Sequence, residues 1–149
     1  MGATQAQKQH TIHCLRTERC SCAVCRDGEV KTYWERGVKD LYRLVKEQPE
    51  ELAGAFVADK VIGKGAAALL VLGKVDEVFA EVISAPALAL LETYGIEVGY
   101  TDCVPNIINR SHTGICPVEE LCKDCRTAED CLPRIENFIK SGGPIEAKK

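Results

Sequence analysis

The sequence predicts an α/β fold in which an antiparallel hairpin is followed by a parallel βαβαβ unit. Two observations carry that reading. The dipeptide Asp27-Gly28 separates two short β-prone runs, as in a tight hairpin. From Leu52 to Tyr100, strand-like and helix-like apolar segments then alternate with short connections, which is how parallel strands and crossover helices are written. A chain of 149 residues, 46% hydrophobic and 28% charged, has room for one globular domain with a buried core.

Taken in order, residues 1–19 form a polar extension, frayed or folded as a short helix, and residues 20–141 form the domain. Cys20 to Cys25 and Glu29 to Trp34 are the hairpin strands. Val38, Leu41, Tyr42 and Val45 recur at helical spacing, and that helix stops before Pro49. The run from Leu52 to Gly63 reads as one strand, or as a strand pair turning at Asp59-Lys60. Ala66 to Leu72 suits a buried helix closed by Gly73, and Val78 to Ile83 suits a strand. Ser84 is placed to cap a helix with Pro86 in its first turn and Gly95 at its end, and Ile96 to Tyr100 is the last strand. Beyond an irregular stretch from Thr101 to Ile115, Pro117 opens a helix with Val118, Leu121, Cys122 and Cys125 on one face. A final helix runs from Thr127 to Lys140 and stops at Gly142-Gly143-Pro144, leaving 142–149 as a disordered tail.

Nineteen basic against 22 acidic residues give a net charge of −3 without a basic cluster, so nothing supports a nucleic-acid binder. No apolar run is long enough for a membrane span, and the first residues are too polar for a signal peptide, so a cytoplasmic protein is expected. Nine cysteines, an odd number, cannot all pair within the chain. In a reducing compartment they are expected as buried thiols, metal ligands or reactive thiolates.

The segment Asp59-Lys60-Val61-Ile62-Gly63-Lys64-Gly65 is the most chemically loaded, with an acid, two cations and two glycines at a strand end before a helix. Free N–H groups at a helix start bind anions, and glycine lets the backbone approach closely. Gly63 and Ser84 should border one crevice at the carboxyl ends of the strands. The pattern is not a Walker A loop, because Ala58 and Gly65 replace its first glycine and its hydroxyl residue. A tight connection with solvated lysines is the structural alternative. Asp59 and Glu81 are acids inside apolar runs: they belong either to a polar site partnered by Lys60 or Lys64, or to surface-facing positions.

A second candidate is Asn109-Arg110-Ser111-His112-Thr113-Gly114-Ile115-Cys116-Pro117-Val118-Glu119. Cys116 directly precedes a helix start, where a thiolate is favoured, and Arg110 or His112 would favour it further; packing is the alternative role. Glu119 in the first turn suits the dipole on structural grounds alone. The pairs Cys22-x-x-Cys25 and Cys122-x-x-Cys125 have the spacing of zinc ligands. Against that, residues three apart on a strand point to opposite faces, and the second pair completes an apolar helical stripe.

Together Val24-Cys25-Arg26-Asp27-Gly28, Glu35-Arg36-Gly37-Val38, Ala58-Asp59-Lys60-Val61-Ile62-Gly63-Lys64, Ala66-Ala67-Ala68, Asn109-Arg110 and Thr113-Gly114-Ile115-Cys116-Pro117-Val118-Glu119 resemble the domain of unknown function 1893 family. The resemblance spans about residues 20 to 140. It implies a small prokaryotic protein with a cytidine-deaminase-like fold, a three-layer α/β/α sandwich around a mixed five-stranded sheet. Zinc deaminases open one helix with a His- or Cys-Ala-Glu box and the next with Pro-Cys-x-x-Cys. Here Gly63-Lys64-Gly65-Ala66-Ala67 and Ala85-Pro86-Ala87-Leu88-Ala89 stand in those places, so zinc is not expected there and no cofactor is implied. Fold alone does not transfer function.

The resulting expectation is a protein that binds a nucleotide-like or phosphorylated small molecule without zinc-dependent deamination. Asp59, Lys60, Gly63, Lys64, Glu81 and Ser84 would line the site, with Arg36, Asn109, Arg110 and Thr113 as further contacts. An enzyme using Cys116 as nucleophile, assisted by Glu119 or His112, is the first alternative. A cysteine-rich metal or redox module, with Cys22, Cys25, Cys122 and Cys125 as ligands, is the second. A homodimer is compatible with the fold.

Overall fold

A computed structural model describes residues 3–18, 20–34, 38–108 and 114–141, so the expected tail at 142–149 lies outside the described residues. The chain runs through α1 (Gln5–Thr17), β1 (Cys22–Arg26), β2 (Glu29–Tyr33), α2 (Lys39–Glu47), a 3-10 turn (Pro49–Glu51), β3 (Phe56–Ile62), α3 (Lys64–Leu72), β4 (Glu77–Ser84), α4 (Ala85–Thr93), β5 (Glu97–Val104), α5 (Pro117–Cys122) and α6 (Ala128–Lys140). The five strands form one mixed sheet in the order β2-β1-β3-β4-β5. β1 pairs antiparallel with β2 and β3, whereas β3, β4 and β5 run parallel. At the hairpin turn both Asp27 and Gly28 have positive φ, the conformation that joins two strands through two residues without splaying them.

Period-two alternation sorts the strand side chains between two faces. Cys25, Phe56 and Ala58 face α1 and bury Leu15 and Cys20. Cys22, Val24, Val57, Val78 and Ala80 face the main core, which α2 to α6 complete. α3 is apolar all round because it is covered all round: it packs against α2, α4, α5 and α6, and Lys64 to Leu70 are buried. α6 crosses the outer side of this layer. Its Glu129 accepts from Tyr94 Oη at the end of α4, and its Glu136 accepts from Tyr42 Oη of α2 at 2.5 Å.

Two local alternatives resolve. The segment around Asp59 is one strand with no turn, because β3 is the central strand and Asp59 is paired with Cys22 on one side and Ala80 on the other. The N-terminal segment carries a 13-residue helix started by a reciprocal capping box between Thr4 and Gln7. Its weak sequence signal reflects a polar helix that docks through few buried side chains, chiefly Thr11, Cys14 and Leu15. No described helix is long and apolar enough to cross a membrane.

Candidate functional site: a carboxylate cradle at two helix starts

β3 and β4 deliver their chains directly into α3 and α4, so two helix N-termini open side by side at the carboxyl ends of parallel strands. Gly63, the N-cap of α3, has no side chain with which to cap it. The missing acceptor comes from a residue 55 positions beyond Lys64. Glu119 Oε1 accepts from Lys64 N at 2.6 Å and from Ser84 Oγ at 3.2 Å, and its Oε2 accepts from Ile107 N at 2.8 Å. Ser84 caps α4 at the same time, its Oγ accepting from Ala87 N. The carboxylate is therefore the acceptor for the start of α3 and, through one hydroxyl, is linked to the start of α4. Only 2% of Glu119 is exposed. Anion-favouring dipoles and charge-assisted hydrogen bonds account for a buried carboxylate at this position.

The glycines fit the same arrangement. A Cβ on Gly65 would stand 2.3 Å from Val118 Cγ1, and one on Gly63 would stand 3.1 Å from Glu119 Oε1. Both glycines thus admit α5 close to the start of α3. Lys64 turns its side chain inward as well: Nζ donates to the carbonyls of Lys123 at 3.1 Å and Cys125 at 2.5 Å, holding the turn that follows α5. One residue binds α5 at both ends, through its amide at Glu119 and through its ammonium beyond Cys122.

Asp59 and Lys60, expected together, project from opposite faces of the sheet. Asp59 is buried beside Cys22 and near Asp40 of α2, and accepts from Val61 N at 3.2 Å. Burial pushes its carboxyl up to about 7, against the lowering effect of the neighbouring amides and the Cys22 thiol. Asp40, also buried, is paired with Arg43 at 2.8 Å. On the α1 face, Glu81 takes both arms of Arg16, at 2.7 and 3.1 Å, and the Thr101 hydroxyl at 3.0 Å. Arg16 holds the Glu81 carboxyl below its usual range. The partner is therefore Arg16, which the sequence did not nominate, rather than Lys60 or Lys64.

Cys116 is the N-cap of α5, partly exposed, with its amide donating to Ile107 O at 2.8 Å. Because both Glu119 oxygens are engaged in the cradle, that carboxylate is not placed to act on Cys116. Arg36, Asn109, Arg110, His112 and Thr113 lie outside the described residues. Ile108 and Ile115 form an isolated antiparallel bridge, the latter just before α5.

Cys22 and Cys25 belong to the cores on opposite faces of the sheet, far from any shared ligand geometry. Cys122 and Cys125 are buried near α6, with Cys131. Among the described residues no group of three or more His, Cys, Asp or Glu side chains is arranged to hold a metal ion. A concavity of about 340 Å³ lies at the opposite end of the sheet, by the hairpin turn and the start of α1.

Comparison with known proteins places these features in context. Residues 10–139 match the family described as a domain of unknown function, DUF1893. A crystal structure of a DUF1893 family protein from Thermotoga maritima superposes with a TM-score of 0.83 at 25% sequence identity, covering 91% of each chain. No curated protein matches. With the family match spanning almost the whole described chain, and a solved member sharing its architecture, this protein belongs to the DUF1893 family.

Proposed function

We propose that the protein binds a small anionic ligand, of the nucleotide-like or phosphorylated class, at the adjoining starts of α3 and α4, and that Glu119 fills this place in the free protein. The observation that carries the reading is the donor set around Glu119. Lys64 N, Ser84 Oγ and Ile107 N converge on one carboxylate, and the same donors suit a phosphate oxygen. α5 then works as the closing element, since it carries Glu119 and is tethered by Lys64. Withdrawal of α5 would free the α3 amide and the Lys64 ammonium together, producing a cationic site where a neutral one now stands. Deamination by a metal-activated hydroxide is not part of this reading: neither helix start carries the His- or Cys-Ala-Glu or Pro-Cys-x-x-Cys ligand sequence that such chemistry uses.

The test is a calorimetric titration with inorganic phosphate and with nucleoside monophosphates. Glu119→Gln keeps the shape but removes the competing charge, and should bind about tenfold more tightly than the parent chain. Lys64→Met should lose the heat of binding. Absence of binding across the panel in both the parent and Glu119→Gln would end the proposal.

A further inference from the structure

On the face of the sheet away from the cradle, α1 carries a histidine–cysteine pair. His10 and Cys14 stand four residues apart in this helix, so their side chains share one side of it. His10 Nε2 and Cys14 Sγ lie 3.7 Å apart. Cys14 is only 7% exposed, whereas His10 is exposed, so the pair runs from the edge of the core out to solvent. Around Cys14 the helix is held against the sheet. Thr11 and Leu15 are fully buried, the Thr11 hydroxyl donates to Gln7 O at 2.7 Å, and the thiol of buried Cys20 is turned to Cys14 O at 3.8 Å. The sulfur therefore has a fixed place, and the imidazole has room to adjust.

We propose that His10 and Cys14 bind a divalent cation of the zinc class through Nε2 and Sγ, with water in the remaining positions. The separation carries the inference. Zinc bonds to imidazole nitrogen and thiolate sulfur are about 2.1 and 2.3 Å long, and two such bonds span 3.7 Å at an angle of about 115°, close to the tetrahedral value. No backbone movement is needed to bring both donors to one ion. Their chemistry selects it: imidazole and thiolate together suit zinc, whereas calcium and magnesium take oxygen. In the metal-free chain a hydrogen bond spans the gap; the cation replaces it, and the thiol proton passes to solvent. Cys14 also lies in the last turn of α1, where the helix dipole favours positive charge. Arg16, the basic residue of that turn, is directed to Glu81, and Glu18 adds an acid at the C-cap, its amide donating to Cys14 O at 3.0 Å. Two protein donors leave positions open, as in a site that exchanges its ion, in contrast to the closed four-donor set of a structural centre.

The test is a titration of the intact, reduced protein with Co²⁺, read by the thiolate-to-cobalt charge-transfer band, followed by competition with Zn²⁺. The parent chain should bind Co²⁺ with that band, and Zn²⁺ should bleach it. His10→Ala, at an exposed position that leaves the core intact, should weaken binding by at least roughly tenfold, because even residues outside the coordination sphere are worth that much. Cys14→Ser should abolish the band, and His13→Ala, the other histidine of α1, should leave the titration unchanged. The proposal is overturned if the parent shows no band, if His10→Ala binds as the parent does, or if the band depends instead on Cys103 or Cys116, the more accessible thiols.

Discussion

Glu119 and Asp59 are both buried carboxylates on the same side of one sheet, yet their surroundings oppose each other. Glu119 lies where two helices begin, and three donors from three different segments meet its oxygens. Asp59 lies in the middle of the central strand, where the nearest ionisable groups are a buried thiol and a second carboxylate. Burial dominates there and favours the neutral acid. The difference teaches that a buried acid is not one kind of signal: a helix start offers it hydrogen-bond donors, whereas the sheet interior around Asp59 opposes its charge.

Removing the carboxylate at each place gives the sharpest test of that contrast. Glu119→Ala leaves the buried Lys64 amide and the part-buried Ile107 amide without an acceptor and detaches α5, so we expect a loss of about 4 kcal/mol in chemical denaturation. A loss comparable to an ordinary surface substitution would break the comparison. For Asp59 the effect is a pH dependence rather than a fixed cost. Its folded value of about 7 lies above the unfolded carboxyl value, so between the two the folded state holds more protons. Stability therefore falls as pH rises from the ordinary aspartate range through about 7, by on the order of 3 kcal/mol, and then levels off. Asp59→Asn should flatten that slope, and an unchanged slope in urea titrations at pH 5 to 8 would show that the carboxyl is ionised throughout. The smallest effect is expected where the acid is paired and wet. Arg16→Ala leaves Glu81 with access to solvent, since their side chains are 52% and 27% exposed, and should cost less than about 1 kcal/mol by thermal melting.

Local features were largely legible. Asp27-Gly28 marks a turn by backbone preference, and Ser84 and Thr127 mark helix starts through hydroxyls that reach only three residues. The three parallel strands follow from their apolar, β-branched runs. What escaped were partners brought in from far along the chain. Arg16 sits in a segment with little amphipathic pattern, so nothing local announced that it reaches Glu81. Gly63-Lys64-Gly65 reads as an anion loop because bare amides at a helix start need an acceptor. In the structure the acceptor is a glutamate 55 residues away from Lys64, and the sequence offers no means of telling such a partner from a bound phosphate.

By itself, then, the sequence determined the alternation of strands and helices, the caps and turns, and a glycine-started helix with no side-chain cap of its own, all of which depend on contacts a few residues long. The tertiary structure alone decided who fills that start, which way Lys64 points, and which of the nine cysteines are buried. Those outcomes depend on α5 and α6 folding back across α3, a closure between distant segments that short-range backbone and side-chain preferences do not encode.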